Sequence, residues 1–274
     1  MKNKALIGTV ALAAAIAGTP AFAQDKDWSF TVGIKGWLNR WDTKLPIDTP
    51  VPGGSGGSVI SQTSDWNTAP IPSLAIRYRD FFVASSYFVS TSYDFPANTF
   101  VVGLPIQVPP IAVPLTLDAR AKRKEFDINI GWYFVPQVAV TLGYKQIKQQ
   151  YTDVFTSSAI PDFIDTESTA TKNKAPTIGI VAGAPIGNSD WLMYFNAASS
   201  IGPTMKSTVS DTSGSYKGWY ATGEVGFGYR ITPGLTATLG YKYQIIDVKD
   251  DNLTPSQRLR DTTNGPLLGI SYTF

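Results

Sequence analysis

Apolar and polar residues alternate with a period of two along most of the chain. In an early segment Phe30, Val32 and Ile34 share one face, while Thr31 and Lys35 share the other. Because successive side chains of a strand point to opposite faces, this alternation predicts β-strands with one apolar and one polar face. The alternating runs extend over roughly 10 to 16 residues, which exceeds the usual length of soluble strands and suits tilted strands that cross a membrane.

We predict about ten strands, with eight or twelve as the alternatives. Their approximate spans are 28–41, 66–79, 81–95, 119–134, 138–154, 173–186, 191–207, 215–231, 235–247 and 260–274. Short turns alternate with long loops, and the long loops surround 50–64, 96–117, 156–172 and 248–259. This asymmetry is typical of outer-membrane barrels, and lipid requires the sheet to close. The predicted fold class is all-β, a closed antiparallel transmembrane β-barrel with short periplasmic turns and long extracellular loops.

Aromatic residues gather at both ends of the predicted apolar faces. Those near the short turns are Tyr78, Phe81, Trp132, Phe134, Trp191 and Tyr229. About ten residues further along lie Tyr93, Phe95 and Trp219. Two belts of aromatic rings are expected at the two interfaces of a thin membrane. Ordinary core aromatics, the alternative, would not need to gather at strand ends.

The N-terminal segment has the layout of a targeting sequence. Two lysines precede an apolar run from Ala5 to Ala17, and small residues follow before Gln24. The apolar run is too short to span ~30 Å of hydrocarbon. We therefore predict a cleaved secretory signal peptide over residues 1–23 and a single barrel domain over residues 24–274.

Composition limits the chemistry. The chain contains no cysteine and no histidine. Disulfides, thiolate metal sites, Ser-His-Asp triads and His-ligated metals are therefore excluded, and we expect neither an enzyme nor a cofactor or metal. The formal net charge is +2, and the predicted signal peptide carries two lysines and no acid, so the barrel domain is neutral. A neutral domain does not indicate a nucleic-acid partner.

The C-terminal segment supports a resemblance to a known class. Leu268, Ile270, Tyr272 and Phe274 alternate up to the last residue. With this ending, the mature chain resembles the small, porin-like outer-membrane β-barrel proteins of Gram-negative bacteria. The resemblance implies that these four residues form the signal read by the barrel-assembly machinery. It also implies export through the periplasm into the outer membrane, with outer-membrane lipid as a partner.

Two hairpins with a similar pattern place charges on the polar, inward face. Pairing the strands around their short turns sets Asp127 opposite Lys145 and Glu224 opposite Lys242, within reach of an ion pair. Such pairs either neutralise one another and stiffen the wall or form a constriction that selects among permeating solutes. Further candidates for the lumen or the periplasmic mouth are Lys35, Arg77, Arg79, Arg123, Glu125 and Arg230.

Basic and apolar residues also occur away from the lumen. Arg120, Lys122 and Lys124 alternate on the outward face, above its apolar part, where lipopolysaccharide phosphates would be natural partners; a solvated strand extension is the alternative. The segment 96–117 has no charged residue and is rich in proline, so we predict an irregular loop there.

Two functions remain open from the sequence. Eight strands enclose a filled interior and 16–18 leave a channel, so ten strands predict a narrow lumen. The first function is a narrow passive pore for small solutes. The alternative is a non-transport barrel, structural, adhesin or receptor, that presents extracellular loops.

Overall fold

The strands of this protein form one large sheet and one small one. The computed structural model describes residues 8–11, 19–22, 27–47, 58–104, 111–160, 164–202, 205–209, 215–249 and 258–274. The small sheet pairs β1 (Gly8–Ala11) with β2 (Thr19–Phe22). Both lie within the predicted signal peptide, whose cleavage stays a prediction.

The large sheet has twelve strands, all antiparallel to their neighbours. They are β3 (Trp28–Ile47), β4 (Ser58–Thr63), β5 (Asn67–Tyr78), β6 (Phe81–Leu104), β7 (Ile111–Val135), β8 (Val138–Ser157), β9 (Ile164–Pro185), β10 (Trp191–Ser200), β11 (Met205–Val209), β12 (Ser215–Arg230), β13 (Leu235–Lys249) and β14 (Arg258–Thr273). Two pairs of strands share one position each. β4 and β5 both pair with β3, and β10 and β11 both lie between β9 and β12.

The sheet closes into a ring of ten positions, because the first and last strands of the barrel pair with each other. β14 pairs with β3 from Arg260↔Lys44 to Thr273↔Thr31, and the amide of Phe274 donates to the carbonyl of Phe30 at 2.8 Å. Closure gives each of the ten positions a hydrogen-bonded neighbour on both sides, which is the condition for a sheet in lipid. The prediction of a closed antiparallel barrel of about ten strands is confirmed.

Short turns lie at one end of the barrel. They join β5 to β6, β7 to β8, β9 to β10 and β12 to β13, and the two tightest have two residues each, Arg79-Asp80 and Pro136-Gln137. Arg79 adopts a positive φ of 52°, the left-handed conformation that a tight hairpin turn needs. The start of β3 and the end of β14 lie at this same, periplasmic end.

The outside of the barrel is apolar and the inside is polar, the reverse of a water-soluble sandwich. Along β3, Phe30, Ile34 and Leu38 are exposed, while Lys35 and Asn39 are buried. The same arrangement on the other strands yields an outward apolar band that only lipid can cover. Among the described residues no helix is long and apolar enough to cross a membrane.

The predicted aromatic belt is confirmed at the end with the short turns, and the prediction is partly wrong at the other end. All six aromatic residues predicted near the short turns are exposed on the outer face. In the second belt Trp219 is half-buried, whereas Tyr93 and Phe95 are buried inside the barrel. The β6–β7 register shifts between Phe88 and Thr91, and one extra residue moves every later side chain of a strand to the other face.

The β6–β7 hairpin continues far beyond the apolar band. Ladder pairing runs from Asn98↔Leu117 to Leu104↔Ile111, within the segment predicted as an irregular loop. That prediction is wrong because a second register shift between Phe95 and Asn98 accommodates Pro96, after which the ladder resumes. Residues 105–110 lie outside the described part of the chain. The strands β7 to β9 are similarly extended, so the barrel projects beyond the membrane at its extracellular end.

The apolar band gives a direct test of the fold. Ile130 lies near the middle of the band on β7 and is 61% exposed. Ile130→Lys is expected to lower the free energy of unfolding by ~2–4 kcal/mol, because it places a charge near the bilayer midplane. Denaturant titration in phospholipid vesicles measures this change.

Ile164→Lys is the matched control. Ile164 is 70% exposed but begins β9 at the extracellular end. We expect almost no change there. Equal losses in the two variants would contradict the position of the membrane band.

Candidate functional site

A cluster of charged side chains fills the lumen at mid-height. The ammonium nitrogen of Lys145 lies 2.6 Å from Oε2 of Glu125 and 3.4 Å from Oδ2 of Asp127. The guanidinium of Arg123 contacts Oε1 of the same Glu125 at 2.5 Å. β7 and β8 present these residues inward because they occupy every second position of two paired strands. Glu125 is therefore the carboxylate that two cations share.

In the second predicted charge pair, Glu224 and Lys242 each contact a different residue instead of each other. The register sets Glu224 opposite Lys242, as expected from the turn. However, Glu224 binds the ammonium group of Lys35, at 2.5 Å, from β3 rather than from the neighbouring strand. The ammonium group of Lys242 instead lies over the ring of Trp37, 4.6 Å from its centroid. A cation over an indole face is stabilised by the ring quadrupole.

Side chains from opposite walls bind each other across the lumen. The amide of Gln244 on β13 donates to Glu125 on β7 at 3.0 Å, and these strands are five ring positions apart. The amide of Gln149 on β8 donates to Asp261 on β14 at 2.7 Å, again five positions apart. Because ten positions make the full ring, both bonds join diametrically opposed strands. The lumen is crossed at two levels.

Aromatic rings fill the lumen above the charged cluster. The indole of Trp41 on β3 lies 5.3 Å from the aromatic ring of Tyr93 and 5.4 Å from that of Tyr151. Tyr151 is on β8, four strand positions around the barrel from β3. The guanidinium of Arg123 lies 5.5 Å from the same indole. Trp41 is 0% exposed and Arg123 is 1% exposed, so water does not reach either side chain. This aromatic layer joins the charged cluster into one packed interior.

The periplasmic mouth holds the remaining predicted cations. The guanidinium of Arg77 lies 4.7 Å from the centroid of the Tyr133 ring, inside the wall. Arg79 donates two hydrogen bonds to Asp27, at 3.1 and 3.2 Å, outside the membrane band. The bonds from Arg79 hold the pKa of Asp27 below its ordinary value. Arg230 contacts Asp190 at 3.1 Å, so acidic groups accompany two of the three cations.

Carboxylates also meet on the extracellular extension. Asp153 on β8 lies opposite Glu167 on β9. Partial burial, and then repulsion from Glu167, raise the pKa of Asp153 to about 6. In the part of the chain that the structure describes, no group of three or more Asp or Glu residues could hold a metal ion.

Several interior residues were missed by sequence reasoning. Trp41, Gln149, Gln244 and Asp261 carry most of the contacts that cross the lumen. Each lies at an inward position of its strand, so the alternation could have assigned the face. Their partners lie on strands that are distant in sequence, and only closure of the ring brings them together.

The residues of the predicted assembly signal lie on the outer face. Leu268, Ile270, Tyr272 and Phe274 are all exposed toward the lipid at the end of β14. On β7, Arg120, Lys122 and Lys124 are likewise exposed. Recognition of the C-terminal residues by the assembly machinery stays a prediction.

Comparison with solved structures identifies the class of fold. The outer-membrane protease OmpT from Escherichia coli matches with a TM-score of 0.57 and 16% identity, over 90% of this chain and 97% of that chain. The P. putida toluene transporter TodX matches with a TM-score of 0.34 and 9% identity, over 92% and 91%. OprG from Pseudomonas aeruginosa matches with a TM-score of 0.31 and 12% identity, over 89% and 95%. No family model and no curated protein matches the chain.

The match to OmpT shows the fold and leaves the activity open. At 16% identity the match to OmpT shows a shared architecture and no more. Together with the closed ring and the outward apolar band, it establishes a small outer-membrane β-barrel.

The shared carboxylate makes a stability prediction. Glu125→Ala removes the partner of Arg123 and the nearer partner of Lys145, and leaves two buried cations poorly compensated. We expect the free energy of unfolding to fall by ~3–5 kcal/mol in a denaturant titration, because an unpaired buried charge is expensive. Asp118→Ala, at an exposed position of β7 opposite Val154, is the control and should leave stability unchanged. Similar effects of the two substitutions would show that the lumen is hydrated.

Proposed function

We propose that this outer-membrane barrel is closed to solutes and acts at the cell surface, as a structural, adhesin or receptor barrel. The observation that carries the proposal is the pair of hydrogen bonds between opposite walls, Gln244 to Glu125 and Gln149 to Asp261. A standing pore needs a continuous water path along its axis, and side chains bonded across the diameter interrupt that path.

The distribution of strand length supports the same proposal. β6, β7, β8 and β9 are 24, 25, 20 and 22 residues long, whereas about 9–11 residues suffice to cross a bilayer. The excess lies on the extracellular side and builds a wall that projects beyond the lipid. A rigid, filled barrel is a suitable base for such a projection, because its interior contacts hold the strands in register.

A hydrolase is not part of the proposal, although one structural neighbour, OmpT, is a protease. The general bases that we would look for are histidine side chains, and the sequence has none. An acid pair at a defined separation could serve instead, and the ladder sets Asp153 opposite Glu167. No further observation assigns a substrate to that pair.

A narrow pore is the second candidate. The observation that favours it is the charge of the interior: Lys35, Glu125, Lys145 and Glu224 would line any path that opened through the middle of the barrel. In that case the contacts between opposite walls would act as a closed gate.

Conductance in planar lipid bilayers separates the two candidates. The wild-type protein is expected to insert without stable current steps, because its lumen is filled. Trp41→Ala with Gln244→Ala and Asp261→Ala removes a large ring from the centre and one partner from each of the two hydrogen bonds between opposite walls, while Glu125 keeps Arg123 and Lys145 as its partners. This triple variant is expected to conduct, and it serves as the control for insertion.

Steady current through folded wild-type barrels, with an ion preference that changes when Lys145 is replaced by Glu, would establish the pore. Folding of each preparation is checked by its heat-dependent mobility in gel electrophoresis before current is recorded.

A further inference from the structure

A row of lysines crosses the outer wall of the barrel just above the apolar band. On β7 the last outward apolar residue is Phe126, and the next outward residue is Lys124. The ladder sets Lys124 opposite Lys148 on β8, and Lys148 opposite Lys172 on β9. Three ammonium groups therefore come from directly paired positions on three neighbouring strands, whose axes are ~4.8 Å apart.

Such an arrangement is unfavourable by itself. Like charges directly opposite each other on paired strands destabilise a sheet. Lys174, two residues from Lys172 on the same face, adds a further charge, and it lowers the pKa of Lys172, as Lys148 also does to a smaller degree. The row becomes favourable when an anion binds between the ammonium groups.

The same residues line a groove. It has a volume of about 450 Å³, and its wall includes Lys122, Lys124, Lys148 and Lys172 together with neutral polar residues such as Gln150. None of the described residues that line it is acidic. Among the described residues, the nearest outward carboxylate along this part of β6 is Asp94, and it is paired with Arg120 at 3.4 Å.

The position of the groove identifies the source of the anion. Lipid covers the apolar band below it, so the headgroups of the outer leaflet reach the height of the lysine row. The alkyl stems of lysine can lie against the lipid while their ammonium groups meet the headgroups. A phosphate that belongs to a lipid is held at this height by its own acyl chains, whereas a free phosphate ion is not.

We propose that this groove binds the phosphate groups of a phosphorylated glycolipid of the outer leaflet, namely lipopolysaccharide. Lys124, Lys148 and Lys172 neutralise the phosphates, and Lys122 and Lys174 extend the site along the strands. This site does not depend on whether the lumen conducts, because it lies on the outer wall.

The experiment compares two charge-reversal variants in detergent solution. Lys148→Glu with Lys172→Glu reverses one pair of directly opposed cations in the groove. Lys44→Glu with Arg260→Glu reverses another directly opposed pair, on β3 and β14, where the outward faces belong to a different wall. Binding of purified lipopolysaccharide is measured by titration calorimetry at two salt concentrations, after each variant has passed the gel test for folding.

The groove variant is expected to bind lipopolysaccharide at least about tenfold more weakly than the wild type and with a weaker salt dependence, because surface charge contacts are screened by salt. The control variant should stay within about twofold of the wild type, as expected for charges remote from the site. The neutral variant Lys148→Gln with Lys172→Gln should fall in between, which keeps the test valid if the charge-reversal variant does not fold.

Two further probes identify the source of the phosphate. Lipopolysaccharide that has been dephosphorylated enzymatically is expected to bind the groove and control variants with equal affinity. Inorganic phosphate alone should bind far more weakly than lipopolysaccharide. Equal losses in the groove and control variants, undiminished binding of the dephosphorylated lipid, or tight binding of inorganic phosphate alone would each overturn the proposal.

Discussion

The pairing of every backbone amide within the sheet is the constraint on which this structure depends. Hydrocarbon offers no partner to an open strand edge, so the chain must return to its first strand. The β3–β14 ladder achieves this closure, and the amide of Phe274 extends it to the last residue. Once the ring is closed, the period of two follows: alternate side chains must face lipid and must be apolar.

The interior follows from the same closure. Ten strands enclose too little space for a wide channel, so polar residues that point inward meet partners from the far wall. Glu125 illustrates the result, since Arg123, Lys145 and Gln244 reach it from three strands. The charged side chains that make the interior polar therefore bind one another and fill it. The long outer wall and its lysine row then remain as the surfaces available to partners.

Sequence patterns predict what is local in this fold and miss what arises from closure. The turns fix the register of neighbouring strands, so the pattern correctly places Asp127 opposite Lys145. The pairing of Lys35 with Glu224 could not be predicted, because those residues are on strands separated by two other positions of the ring. The predicted face of Tyr93 is wrong because a β-bulge reverses the alternation without a distinct sequence signal.

Spin-label accessibility along β7 tests the central claim most directly, and the absence of native cysteine allows single labels at positions 126 to 130 and at 132. In lipid vesicles, oxygen accessibility is predicted to peak at 126, 128, 130 and 132, with low accessibility to both oxygen and a polar nickel reagent at 127 and 129. High nickel accessibility at the odd-numbered positions would reveal a water-filled lumen. Oxygen peaks at the odd-numbered positions would show that the barrel is inverted and would contradict the account.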